Sequence, residues 1–285
     1  MSPPRAGFPV RFPLIALLLL AGCAGGRDGS NDRADRAAKE ATPLRIAAAS
    51  DLQQSLPKLV ERFQADSGTT ATITLDASGR LAEQIRAGAP YDVFLSANER
   101  FVRDLEKGGL IVPESIRPYA RGSLVLCVHP SVAPVVKGVK DLEKPQIRKV
   151  AIANPEFAPY GVAARQALEK LGLWTTLGPR IVRAESVRQA LVYAQHGDAE
   201  AALVSRSLIG PDSGVVTIDV DPGIYSPMVQ FLGIVSDSSH PDRARAFAEL
   251  VLGREGQAIL KESGFAGPAA DTATPAPAAK AEKRP

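Results

Sequence analysis

Cysteine, histidine and aromatic residues are all scarce in this chain. Its 285 residues include two Cys, three His and one Trp, and Phe, Trp and Tyr together make up 5%. Two cysteines at positions 23 and 127 give no disulfide framework, and Cys127, inside the apolar run 124–128, reads as a buried structural thiol. His129, His196 and His240 have no second histidine or cysteine three or four residues away, so a protein-built metal site is not expected. Enzyme motifs are missing too: no G-x-x-x-x-G-K-[ST], no G-x-G-x-x-G after a strand, no G-x-S-x-G. Nor does one sign of charge prevail. Residues 43–266 carry 25 Lys/Arg against 25 Asp/Glu, and the overall +3 comes from the ends. A nucleic-acid partner is therefore not expected, because phosphate backbones are held by a surplus of Lys and Arg.

What is present at the N-terminus reads as an export signal. Arg5 and Arg11 precede the apolar run 12–20, which is too short to span a bilayer. The run ends in Leu20-Ala21-Gly22-Cys23, which resembles the lipobox of bacterial lipoproteins, where the chain is cut before the Cys and the thiol is acylated. The expectation is a signal peptide over 1–22, lipidation of Cys23, and a flexible tether over 23–42 holding the body at the periplasmic side of a membrane. Ordinary signal cleavage nearby would instead leave a soluble periplasmic protein. The Ala/Pro/Lys-rich segment 267–285 has the composition of a disordered tail.

Between 44 and 265 short β-branched runs alternate with helical patterns, as in βαβ units. Strands are expected at 44–48, 72–75, 92–95, 124–128, 150–153, 180–184, 201–204, 215–220 and 229–235. Helices are expected after the first strand, with Leu52, Leu56, Leu59, Val60 and Phe63 on one face, from Ser78, over 99–107 and 114–117, from Gly161 to Leu171, from Ser186 to His196, and over 241–252 and 255–263. Two such sets, with the chain returning at the end, predict an α/β fold of two lobes, each a mainly parallel sheet flanked by helices. Crossings are expected near 121–124 and 220–226. Lobe 1 then comprises 43–122 and 225–266, and lobe 2 comprises 123–224.

One pattern recurs where strands end and helices begin: a small polar or glycine-containing pair. Ser50-Asp51, Ser78-Gly79, Tyr160-Gly161 and Ser186-Val187 all occupy such junctions. Each presents free helix N–H groups and the positive end of a macrodipole, worth ~0.3–1 kcal/mol to an anion. Ser and Asp are also ordinary N-caps, so no single junction is informative. Four of them, divided between two lobes, point to a cleft that grips a small oxyanion.

At these residues the sequence resembles the molybdate-binding proteins of ABC importers, members of the two-lobed periplasmic binding-protein superfamily (type II). The resemblance spans 44–266 and is strongest in Ala47-Ala48-Ala49-Ser50-Asp51-Leu52 and in the block from Ser78 to Ala97; Pro155–Trp174 and Ala184–Arg188 are similar too. It implies a substrate-binding subunit rather than an enzyme, a monomer that serves an ABC permease, with molybdate or tungstate as ligand and no cofactor. Carried over, the ligand contacts fall on Ser50 and Ser78 and on the backbone N–H groups of Tyr160 and Val187, with Asp51, Gly79 and Ser205 as further candidates. Ser205 stands where a tyrosine often completes the site, and the phenol of Tyr160 is expected to take that part. Neutral hydroxyl and amide donors would suit a dianion and disfavour protonated phosphate, which needs a carboxylate acceptor.

Two rival readings stand beside this one. The same fold could serve sulfate, a ferric complex or an organic acid. Alternatively, Ser55 and Lys58, which match S-x-x-K, could serve an exported serine hydrolase; the companion motifs S-D-N and K-T-G are absent, and the spacing puts Leu56 on the core face of a helix.

Overall fold

The computed structural model describes residues 42–268. The expected signal peptide, Cys23, most of the tether and most of the tail lie outside the described residues. Ten strands are described: β1 (Leu44–Ala49), β2 (Ala71–Asp76), β3 (Val93–Ser96), β4 (Arg117–Gly122), β5 (Leu124–Val128), β6 (Val150–Ala153), β7 (Ile181–Ala184), β8 (Ala201–Ser205), β9 (Val216–Asp219) and β10 (Met228–Ile234). The helices are α1 (Leu56–Ser67), α2 (Ser78–Arg86), α3 (Glu99–Lys107), α4 (Pro159–Lys170), α5 (Trp174–Leu177), α6 (Val187–His196), α7 (Pro241–Leu252) and α8 (Arg254–Glu262).

The strands form two five-stranded sheets, ordered β2-β1-β3-β10-β4 and β7-β6-β8-β5-β9. The fold is α/β and two-lobed, as the alternation of elements implies. The sheets are mixed rather than mainly parallel. In the first, β1 pairs in parallel with β2 and β3, whereas β10 runs antiparallel to β3 and β4. In the second, β6 is parallel to β7 and β8, and β5 is antiparallel to β8 and β9. The antiparallel pairs arise because the chain changes sheets at Ser123, between β4 and β5, and returns over 220–227. The two crossings are tied where the Leu124 N–H donates to the Tyr225 hydroxyl at 3.1 Å.

Each sheet has its own core. Leu44, Ile46, Leu56, Phe63 and Phe247 are buried in the first, with the Phe63 and Phe247 rings edge to face at 5.3 Å. Leu126, Ile152, Leu168 and Leu203 are buried in the second. Cys127 is buried and unpaired there, and burial pushes its thiol pKa up to about 12, which suits a structural role.

One element differs from the sequence reading in kind. The half-helix expected at 114–117 is a short 3-10 turn (Pro113–Ser115) that leads into β4. Pro118 obscured this strand, since a proline argues against a central strand. β4 is an edge strand, and Pro118 lies at a register shift: Gln230 faces Ala120 while Phe231 faces Pro118, leaving Tyr119 as the extra residue of a bulge. The bulge has a functional consequence, because it places Tyr119 and Gln230 side by side at the cleft.

Candidate functional site

The strand–helix junctions of both lobes converge on a small cavity. Ser50 and Asp51 follow β1 in a three-residue 3-10 turn, Ser78 opens α2 after β2, Tyr160 lies in the first turn of α4, and Val187 opens α6 after β7. All five line the cavity, whose volume is about 10 Å³. That is far below the ~300–1,000 Å³ of clefts that hold drug-sized ligands, so the space suits nothing larger than an ion or molecule of a few atoms. None of the lining residues is basic.

The helix caps show what the cavity lacks. α2 and α4 begin after Ala77 and Ala158, whose side chains offer no acceptor to the first-turn N–H groups. Alanine is a poor N-cap, costing ~0.5–2 kcal/mol relative to Ser or Asp. A buried helix start without a cap calls for another partner for its free donors. At α6 the Ser186 hydroxyl accepts from the Gln189 N–H at 3.3 Å, and Val187 opens the helix at the cavity wall. The Ser78 hydroxyl oxygen accepts the Ala97 N–H at 3.0 Å, which leaves its proton to donate.

Several contacts close the lobes over this space. The Gly79 N–H donates to the Phe157 carbonyl at 2.8 Å, and the Ser207 hydroxyl donates to the Asp51 carbonyl at 2.8 Å. Gln54 Nε2 donates to the Leu208 carbonyl at 2.6 Å. At the rim Arg80 pairs with Glu185 at 3.4 Å and lies over the Phe157 ring.

These contacts reassign three residues that the sequence pointed toward a ligand. Gly79 does not line the cavity; its N–H is spent across the lobes, and a Cβ there would stand 2.9 Å from the Phe157 Cα. Ser205 is fully buried behind the cavity wall, bonded at 2.7 Å to Ser207 and so part of the chain of hydroxyls that holds Asp51. Gly161 makes its close approach to a strand and not to a ligand: a Cβ would stand 2.2 Å from the Ala153 carbonyl oxygen.

Asp51, a further candidate beside the neutral donors, brings to the cavity wall a carboxyl that is 1% exposed. Its Oδ2 accepts from Gln230 Nε2 at 2.5 Å. Gln230 also donates to the Tyr160 hydroxyl at 3.3 Å and accepts from the Tyr119 hydroxyl at 2.6 Å. The Tyr160 hydroxyl thus points toward the first crossing, in the space that a Cβ on Gly122 would need. Burial raises the Asp51 pKa from 3.8 to about 6, against the opposing bonds from Gln230, Tyr160 and its own backbone. Burial likewise raises both tyrosines well above their ordinary value. Sequence reasoning missed Tyr119, Gln230 and Phe157. Gln230 alone left a local trace, as a polar residue inside the apolar strand Met228–Ile234.

The other candidates do not assemble. Ser55 is buried and bonds the Leu52 carbonyl, while Lys58 is exposed, so the S-x-x-K match makes no nucleophile–base pair. A larger groove on lobe 1, lined by Val112, Arg117, Pro241 and Leu252 among others, contains none of the junction residues. No cluster of metal-ligating side chains occurs among the described residues.

Two mixed sheets joined by two crossings, with a small-ion cavity between them, define a two-lobed binding protein. The chain belongs to the bacterial extracellular solute-binding proteins, whose family profile matches residues 44–266, and within them it is ModA-like. It is 31% identical to the molybdate-binding protein ModA of Rhodobacter capsulatus over 77% of this chain and 86% of that one. It is 30% identical to YvgL of Bacillus subtilis, named as a candidate ABC transporter substrate-binding lipoprotein, over 88% of this chain and 95% of that one. Among solved structures, the periplasmic molybdate-binding protein of Azotobacter vinelandii superposes with a TM-score of 0.75 at 32% identity, covering 79% of this chain and 99% of that one.

Proposed function

We propose that this chain is the extracytoplasmic substrate-binding subunit of an ABC importer for molybdate. The observation that carries this reading is the convergence of four strand–helix junctions from two lobes on one small cavity without a basic residue. Ser50 and Ser78 donate their hydroxyl protons to the oxyanion, and the first-turn amides of Tyr160 and Val187 donate from the facing lobe. The names and identities of the relatives support molybdate as the ion. Tungstate, with the same charge and tetrahedral shape, occupies the same place. Fixed neutral donors can satisfy every oxygen of a dianion without burying a cation that needs its own partner. Cavity size then separates molybdate from sulfate, whose bonds are shorter.

The protein binds and releases without chemistry. As a monomer, it opens about the crossings at Ser123 and 220–227, closes on the ion, and presents the closed shape to the permease. Acylation of Cys23 holds it at the membrane, and Cys23→Ala should release it from the membrane fraction; unchanged fractionation would refute the anchor. Calorimetric titration of the full chain with molybdate, tungstate, sulfate and phosphate tests the main reading. Molybdate and tungstate should bind at least about tenfold more tightly than the other two. Sulfate or phosphate binding more tightly than molybdate would refute it.

A further inference from the structure

Asp51 is an acid at a place built for an anion. Its Oδ2 is occupied by Gln230, whose own orientation is set because its amide oxygen takes the Tyr119 proton. Its Oδ1 is buried and has no hydrogen-bond partner. A buried carboxylate oxygen without a donor carries its full desolvation cost, and a carboxylate beside a dianion is repelled as well. The neutral donors around it, Gln230, Tyr160 and its own backbone, offset burial only in part. From β4 and α4 come two neutral phenols, Tyr119 and Tyr160; from the end of β8 and the turn after it come the hydroxyls of Ser205 and Ser207. From the end of β2 comes a second acid, Asp76, whose Oδ1 accepts the Ala77 N–H at 2.7 Å. The adjoining groove carries two cations, Arg80, which is paired with Glu185, and Arg188.

A proton on Oδ1 would remove both penalties, since the unpartnered acceptor becomes a donor on a residue that lines the cavity. We propose that Asp51 grips the oxyanion as a neutral carboxylic acid, donating through Oδ1, so that each ion bound at neutral pH takes up one proton from solvent. This rests on the reading of the cavity as a tetrahedral-oxyanion site. The raised pKa of the empty site agrees in direction, and a bound dianion raises it further. The arrangement also selects by protonation state. Molybdate offers only acceptors to this donor, whereas hydrogen phosphate brings an O–H that needs an acceptor and meets a second proton instead.

The test is calorimetry of the full chain with sodium molybdate in buffers of different ionisation enthalpy, between about pH 6 and about pH 8.5. The expected result is an uptake approaching one proton per ion near pH 7.5. Affinity should weaken by up to about tenfold for each pH unit above about 6. Asp51→Asn supplies an amide donor at the Oδ1 position without needing a proton. It should take up none, and near pH 8 it should bind molybdate about tenfold or more tightly than the parent. Molybdate binding by the parent with no proton uptake and a flat pH profile would overturn the proposal. So would an Asp51→Asn variant that retains the parent's pH slope, or phosphate binding that strengthens with rising pH in the parent alone, which would put the proton on the ligand. Absence of heat with molybdate, tungstate, sulfate and phosphate in the parent at every pH would refute the oxyanion site itself, and this inference with it.

Discussion

Gly79→Ala should separate lobe closure from lobe stability. Gly79 sits in the first turn of α2, and its N–H reaches the Phe157 carbonyl of the other lobe at 2.8 Å. An alanine Cβ would lie 2.9 Å from both the Cα and the carbonyl oxygen of Phe157, and 3.0 Å from the Phe101 ring. The Phe101 ring can yield, but the Phe157 contacts are backbone, so the lobes must move apart. The lost hydrogen bond costs ~0.5–1.5 kcal/mol and the overpacking ~1–3 kcal/mol. A closure penalty of roughly 2–4 kcal/mol weakens molybdate binding about 30- to 700-fold. The lobe itself should not suffer, because alanine favours a helix over glycine by up to ~1 kcal/mol. Calorimetry gives the affinity, and thermal melting of the ligand-free chain gives the stability. Affinity equal to that of the parent would refute the reasoning. A melting midpoint that falls in step with affinity would also refute it, by showing damage to the fold rather than to closure.

Three further outcomes follow from the site. Ser78→Ala should weaken molybdate binding by ~1.5–3 kcal/mol, the scale of a hydrogen bond to a charged group, and unchanged affinity by calorimetry would remove Ser78 from the ligand shell. Tyr160→Phe and Ser205→Ala should each weaken molybdate binding less than Ser78→Ala, because the Tyr160 hydroxyl meets Gln230 and Ser205 is bonded to Ser207; a loss of about tenfold or more by calorimetry for either would make that hydroxyl a ligand contact. The raised Asp51 pKa also sets a stability slope. The folded chain holds this proton more tightly than the unfolded one, so the associated stability is complete below about pH 4 and is lost as pH rises through about 6. From 3.8 to about 6, the loss at pH 7 is about 3 kcal/mol. Asp51→Asn should therefore raise the melting midpoint of the ligand-free chain by several degrees at pH 7 and hardly at all at pH 4. Equal shifts at both pH values would refute it.

What the sequence determined by itself was local in origin. Period-2 and period-3.6 apolar patterns announced the strands and helices of both lobes, and Ser50, Ser78 and Val187 stood out because a strand end and a helix start meet within a few residues. β4 escaped because Pro118 is acceptable only on an edge and at a bulge, and both are properties of the assembled sheet. Only the tertiary structure decided the rest, since the deciding contacts join residues far apart in the chain. Gln230 reaches Asp51 across 179 positions, and the Gly79 amide finds Phe157 on the other lobe. The same distance in sequence explains the chemistry of Asp51. A carboxyl at the end of a strand reads as an ordinary cap until Gln230, from the far end of the chain but the same sheet, occupies one of its oxygens and packing buries the other without a partner.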